Sequence, residues 1–146
     1  MQISSKFTIG VHLLAVIVFL AEGEKVTSNV LAGSIGVNPV IVRGVLSQLK
    51  EAGIVNTRQG ASGVTLNRPL DQISFYDIYK AVDSVKDEGL FRFHEHPSPD
   101  CPVGRNIHFA VDGRLDQVQT AMENEMKEIK LSDVVQDVRE QITKEH

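Results

Sequence analysis

Five side chains between residues 38 and 50 have the chemistry to meet a nucleic-acid duplex: Asn38, Val40, Arg43, Ser47 and Lys50. If this stretch is a helix, Val42, Val45, Leu46 and Leu49 recur at i, i+3, i+4 and i+7 and form one buried stripe. The opposite face then carries Val40, Arg43, Gly44, Ser47 and Glu51, with its basic edge continued by Lys50. The guanidinium of Arg43 is a planar donor fork that matches O6 and N7 of guanine, worth about 1–3 kcal/mol of discrimination against a wrong base. Asn38 and Ser47 can bond a phosphate or a base edge, and Lys50 can bond a phosphate. Gly44 keeps the face shallow, so a partner can approach the backbone. The alternative for Arg43 is a solvated charge or an ion pair within the chain.

Three further groups invite chemistry. Ser5 and Lys6 stand where an apolar helix begins, and free helix N–H groups beside an ammonium form a phosphate anchor. They serve equally well as an ordinary cap and a solvated lysine. Cys101, flanked by Asp100 and Pro102, is the single cysteine. Near a helix start with Arg105 close by, its thiolate is favoured, which suits a redox sensor; as a small apolar residue it would be inert, and Asp100 opposes ionisation. His94, His96 and His108, with Asp100 and Cys101, have donor types that suit zinc or iron, but their spacing matches no zinc pattern. No metal or cofactor is expected.

The elements that must position these groups follow from local signals. Thr27 caps a helix that turns Val30, Leu31, Ala32 and Ile35 inward, and Gly36 stops it. Asn38 caps the next helix, with Pro39 at its first position. After Gly53, residues Ile54–Arg58 alternate like a strand, Gly60 to Gly63 turn, and Val64–Leu66 return. Helix, short turn, helix and two-stranded wing outline a winged helix-turn-helix, whose second helix enters the major groove.

Around this unit, Ser4 or Ser5 starts a helix to about Ala21 that is apolar nearly all round, so it needs cover from two directions. Ser74 caps a short helix with Phe75, Ile78 and Val82 inward. Residues 84–106 lose periodicity among Gly, Pro and His, which suggests a functional loop. From about Ile107 a long helix carries Val111, Leu115, Val118, Met122, Met126 and Ile129 on one stripe, and Ser132 caps a last helix through Lys144. The expected fold is mainly α with a small β wing. It comprises a winged helix-turn-helix over residues 1–83, a candidate sensor loop over 84–106 and dimerisation helices over 107–146. The Tyr and Phe residues are expected on core faces, leaving no aromatics to stack on single-stranded bases.

Composition is consistent with this division. The 146 residues are 42% hydrophobic and carry a formal charge of −4. Residues 1–69 hold six basic and three acidic side chains, net +3, and the remainder nets −7. A basic half suits a polyanion; an acidic half suits protein or solvent. Val11–Ala21 is about half the roughly 20 residues that span a bilayer, and Phe19 spoils a signal-peptidase site, so no membrane segment and a cytoplasmic location are expected. Paired carboxylates, a phosphate-binding glycine loop and a nucleophile–base pair are missing, so the chain does not read as an enzyme. The alternative to a DNA reader is an interaction adaptor that uses a winged helix without DNA.

The opening SSKFTIGVHLLAVIVFLA, the run from VNPVIVRGVLSQLKEAGIVNTRQGASGVTL through NRPLDQISFYDIYKAV, and the late CPVGRNI resemble the Rrf2 (Rrf-two) family of bacterial transcriptional regulators. That family contains the iron–sulfur cluster regulator, the nitric-oxide-sensitive repressor and the cysteine-metabolism repressor, and NPVIVR with CPVGRNI is most similar to its YwnA-like branch. The resemblance implies a homodimer of winged domains on double-stranded promoter DNA, acting as a repressor under an unknown effector. It also implies a phosphate or minor-groove contact for Arg58 and Gln59 at the wing tip, where solvent exposure is the alternative. Family members with a two-iron two-sulfur cluster use three cysteines in the loop, and this chain offers Cys101 alone. The iron–sulfur regulator has an acidic residue where this chain has Arg43, so a different DNA target is implied.

Overall fold

The structure is a computed structural model, and it describes residues 4–20, 26–57, 63–82, 90–91 and 94–145. In chain order the elements are α1 (Ser5–Leu20), α2 (Ser28–Ile35), α3 (Pro39–Glu51), β1 (Val55–Thr57), β2 (Val64–Leu66), a 3-10 turn at Leu70–Gln72, α4 (Phe75–Val82), α5 (Pro102–Glu128) and α6 (Leu131–Lys144). The two strands pair antiparallel, with Val55 opposite Leu66 and Thr57 opposite Val64.

One core joins α1 to α4, the strands and the start of α6. Leu13, Leu14 and Ile17 of α1 are fully covered, each contributing about 1.5–3 kcal/mol by leaving water. The two covers that α1 requires are the winged unit on one side and α6 of its own chain on the other. Gly10 makes the close approach workable: a Cβ there would stand 3.2 Å from Ile78 and 3.8 Å from Val45. Phe7 meets Phe75 edge to face at 5.4 Å.

The long helix returns the chain to this core. At its end Phe75 N–H donates to the Ile129 carbonyl (2.8 Å) and Leu131 N–H to the Ile73 carbonyl (2.7 Å). Leu131 and Val135 of α6 are thereby buried. Ser74 and Asp77 form a reciprocal cap at the start of α4: Asp77 N–H donates to Ser74 Oγ at 3.1 Å and Ser74 N–H to Asp77 Oδ2 at 2.9 Å.

Several expectations are corrected. Val30 is 42% exposed, whereas Leu31 and Ala32 of α2 are buried and Ile35 packs against the core partly covered. The first strand begins at Val55 rather than Ile54, which is buried ahead of β1 and accepts from Asn67 N–H at 2.9 Å, and the second spans Val64–Leu66 as expected. The long helix starts at Pro102, not Ile107, since proline at the first position costs no hydrogen bond and presets φ. The candidate loop therefore ends at Cys101. Ser132 lies within α6, whose cap is Lys130, with Lys130 N–H donating to Asp133 Oδ2 at 2.8 Å. Phe109 is not on a core face but 95% exposed.

Candidate nucleic-acid interface

The turn between α2 and α3 sets the site. Thr27 Oγ1 accepts from Val30 N–H (3.2 Å) to begin α2, and Gly36, at φ +80°, ends it. Asn38 Oδ1 accepts from Val40 N–H (2.8 Å), and Pro39 fills the first position of α3. The two helices bend by 109°, within the range of helix-turn-helix pairs. The stripe of Val42, Val45, Leu46 and Leu49 is buried, so the outward face is fixed by packing rather than chosen by solvent.

That outward face is open. Asn38, Val40, Arg43, Gly44, Ser47, Lys50 and Glu51 are all exposed. Val40, Gly44 and Ser47 lie opposite the buried stripe, and Arg43 and Lys50 share one edge. Asn38 uses its carbonyl oxygen as the cap, which leaves its amide hydrogens for a phosphate or base edge. Ser5 and Lys6 are exposed at the start of α1, where Phe7 N–H donates to the Ser4 carbonyl at 3.2 Å. Arg58 and Gln59 lie outside the described residues.

Sequence reasoning missed the pair that holds the wing against α3. Asn67 Oδ1 accepts from Asn56 Nδ2 (2.7 Å), and Asn67 Nδ2 donates to the Gly53 carbonyl (3.1 Å). Arg68 Nη2 donates to the Ala52 carbonyl (3.1 Å), and Arg68 Nη1 stands 3.6 Å from Asp77 Oδ2. Arg68 thus supports the C-terminal end of α3 rather than facing a ligand. The Asn67-Arg68-Pro69 run is the signal that could have identified it.

Of the candidate sensor region ahead of α5, the described residues 90–91 and 94–101 lie along that helix. Leu90 N–H donates to Gln119 Oε1 (2.8 Å), the rings of His94 and His108 lie 5.4 Å apart, and a Cβ at Gly104 would be 2.7 Å from the Ser98 carbonyl oxygen. Leu90, His94 and Ser98 thus sit beside residues 119, 108 and 104 of the helix in turn. Cys101 is exposed at the cap of α5, and the N–H groups of Gly104 and then Val103 hold its thiol below the usual value, against a small opposing effect of burial. The sulfur makes no regular cap hydrogen bond, so this is the pull of free helix N–H groups on a thiolate rather than a formed bond. Arg105, expected to supply that pull, contributes instead a backbone N–H to the Cys101 carbonyl (2.8 Å).

His94, His96 and His108 do not form one set. His108 Nδ1 is 3.1 Å from Asp112 Oδ1, whereas His96 is exposed beside Glu95. Among the described residues no three His, Cys, Asp or Glu side chains converge as metal ligands. No single described helix is long and apolar enough to cross a membrane.

Comparison with known proteins gives a consistent result. The family described as "Rrf2: Iron-dependent Transcriptional regulator" matches residues 3–137. YwnA of Bacillus subtilis (strain 168), by name an HTH-type transcriptional regulator, is 41% identical over 134 residues, covering 92% of this chain and 97% of that protein. A crystal structure of a protein named as DNA-binding is 35% identical, with a TM-score of 0.70 over 89% of this chain and 98% of its own. IscR of T. potens superposes with a TM-score of 0.70 at 20% identity, covering 97% of this chain and 90% of its own, a likeness of fold alone.

Proposed function

Because the chain belongs to the Rrf2 family of transcriptional regulators, we propose that it is a cytoplasmic, homodimeric, sequence-specific DNA-binding regulator that represses transcription by occupying promoter DNA. The observation that carries this reading is the open face of α3: Val40, Arg43, Gly44 and Ser47 stand exposed opposite a fully buried stripe. In this mechanism α3 enters the major groove and Arg43 bonds a guanine edge. Asn38 and Ser47 bond phosphate or base edges, Lys50 bonds phosphate, and Ser5 with Lys6 anchors a phosphate at the start of α1. Arg58 and Gln59 are assigned a phosphate or minor-groove contact by the family resemblance alone.

The homodimer is supported by α5, which spans 27 residues with none buried and leaves Val103, Phe109 and Val118 exposed. Two copies would place two α3 helices on successive grooves of one face of the duplex. Among the described residues the iron in the family's description meets no converging donor set. With one cysteine in the chain and no converging ligand triad among the described residues, a cluster held by three cysteines does not fit.

The test is retention of mixed genomic fragments at rising salt. A duplex reader binds at low salt, loses affinity steeply through counterion release, and enriches an inverted repeat. Arg43→Ala is expected to cost roughly tenfold or more for the enriched site. No retention at any salt would end the proposal.

A further inference from the structure

Gly44 occupies the middle of α3, where glycine destabilises a helix relative to alanine. Nothing within the described chain asks for it. Its φ is not among the positive values, and a Cβ there would meet no atom within 4 Å. Gly10 has close packing as its reason and Gly36 and Gly63 have positive φ, whereas Gly33 and Gly113 share the open surroundings of Gly44 but lie outside the exposed face of α3. What sets Gly44 apart is its place at the centre of the outward face of α3, where the missing side chain leaves the backbone open to a close approach.

One turn earlier on the same line stands Val40, 63% exposed. Its side chain can neither donate nor accept a hydrogen bond. Beneath Val40 a base edge carrying only polar groups would lose water without gaining a partner. Of the four bases, thymine alone presents an apolar group, the 5-methyl, in the major groove. The polar neighbours Arg43 and Ser47 flank this apolar centre.

We propose that Val40 and the bare backbone of Gly44 form a shallow notch on α3 that takes the 5-methyl group of a thymine in each half-site. The inference rests on the DNA-reading proposal above and adds a base preference to it. Val40 and Arg43 are separated by about 4.5 Å along the helix axis. The thymine therefore falls within about two base pairs of the guanine read by Arg43, given a duplex rise of about 3.4 Å per pair.

The test begins with selection of a bound duplex from a random pool, followed by replacement of single thymines by deoxyuridine, which removes only the methyl. One position per half-site is expected to lose about fourfold in affinity, the value of one buried methyl-sized group. Val40→Ala should abolish that thymine-over-uracil preference while leaving the rest of the selected sequence intact. Gly44→Ala should act in opposite directions on two readouts. The melting temperature of the free protein rises by a few degrees, and affinity for the selected duplex falls.

Equal binding of every uracil-substituted duplex would overturn the notch while leaving the DNA reader standing. So would a thymine preference that survives in Val40→Ala, or a Gly44→Ala protein that binds undiminished. Failure to select any duplex would remove both readings.

Discussion

Helices α3 and α5 carry the same kind of pattern, an apolar stripe against a polar face, and the chain treats them oppositely. The four apolar residues of the α3 stripe are buried by its own neighbours. In α5, about twice as long, no stripe residue is buried: Val118 is 53% exposed, the others are partly covered, and Phe109, off the stripe, stands 95% exposed. A stripe covered from within fixes which face points out; a helix that leaves Val103, Phe109 and Val118 exposed calls for cover from elsewhere. The first helix is therefore built to present a surface, and the second to acquire one. Truncation should separate them clearly. Leu49→Ala in α3 is expected to lower unfolding stability by about 2–5 kcal/mol, read by urea denaturation. A loss below about 1 kcal/mol would mean that α3 is not locked in place as described.

Besides the Asn56, Asn67 and Arg68 side chains, a close backbone approach at Gly63 holds the wing to the same unit and gives the next largest effect. Gly63 has φ +70°, and a Cβ there would run into the Val26 carbonyl. Gly63→Ala should cost about 2 kcal/mol from the left-handed backbone and the collision together. If Gly63→Ala melts with the parent, the wing root does not pack on Val26. On the α5 side the expectation reverses. Phe109→Glu should leave the unfolding of dilute protein within about 0.5 kcal/mol. It should weaken self-association by about tenfold or more, because two large apolar side chains per dimer lose their cover. Sedimentation across a concentration series measures this, and unchanged association would remove Phe109 from the interface.

The same contrast explains how much could be read beforehand. The helix pair, its turn and the inward stripe of α3 were legible because Thr27, Gly36, Asn38 and Pro39 act on their immediate neighbours, and periodicity reports a face covered by the same chain. The start of α5 was misplaced because three prolines in residues 97–102 look like uniform helix breakers, and only context makes Pro102 a first residue. Phe109 was misassigned because composition cannot distinguish a residue covered by its own chain from one left open. Asn67 and Arg68 read as a turn, since their partners Gly53, Ala52, Asn56 and Asp77 are brought near only by the fold. On the site itself, residue types on α3 were informative because one helix orders them. The proposed roles of Ser5, Lys6 and the wing tip depend on a duplex that joins separate elements.

The smallest expected effect concerns the first turn of α5. Cys101 is exposed there, and the N–H groups of Gly104 and Val103 favour its thiolate. The folded pKa lies below that of the unfolded chain. Below the folded pKa both states are protonated and the cysteine adds nothing to stability. As pH rises through the folded value towards the unfolded one, the folded state ionises first and gains stability, and that gain is lost again as pH falls. The contribution is slight because solvent surrounds the sulfur. Its kinetic counterpart is measurable: alkylation by iodoacetamide should reach half its limiting rate at a lower pH in the native protein than in urea. Coincident midpoints would show that the open end of α5 exerts no pull on the sulfur. A lower native midpoint would show that the helix left uncovered along its side also has a reactive thiol at its tip, in contrast to α3, whose N–H at Val40 is taken by Asn38.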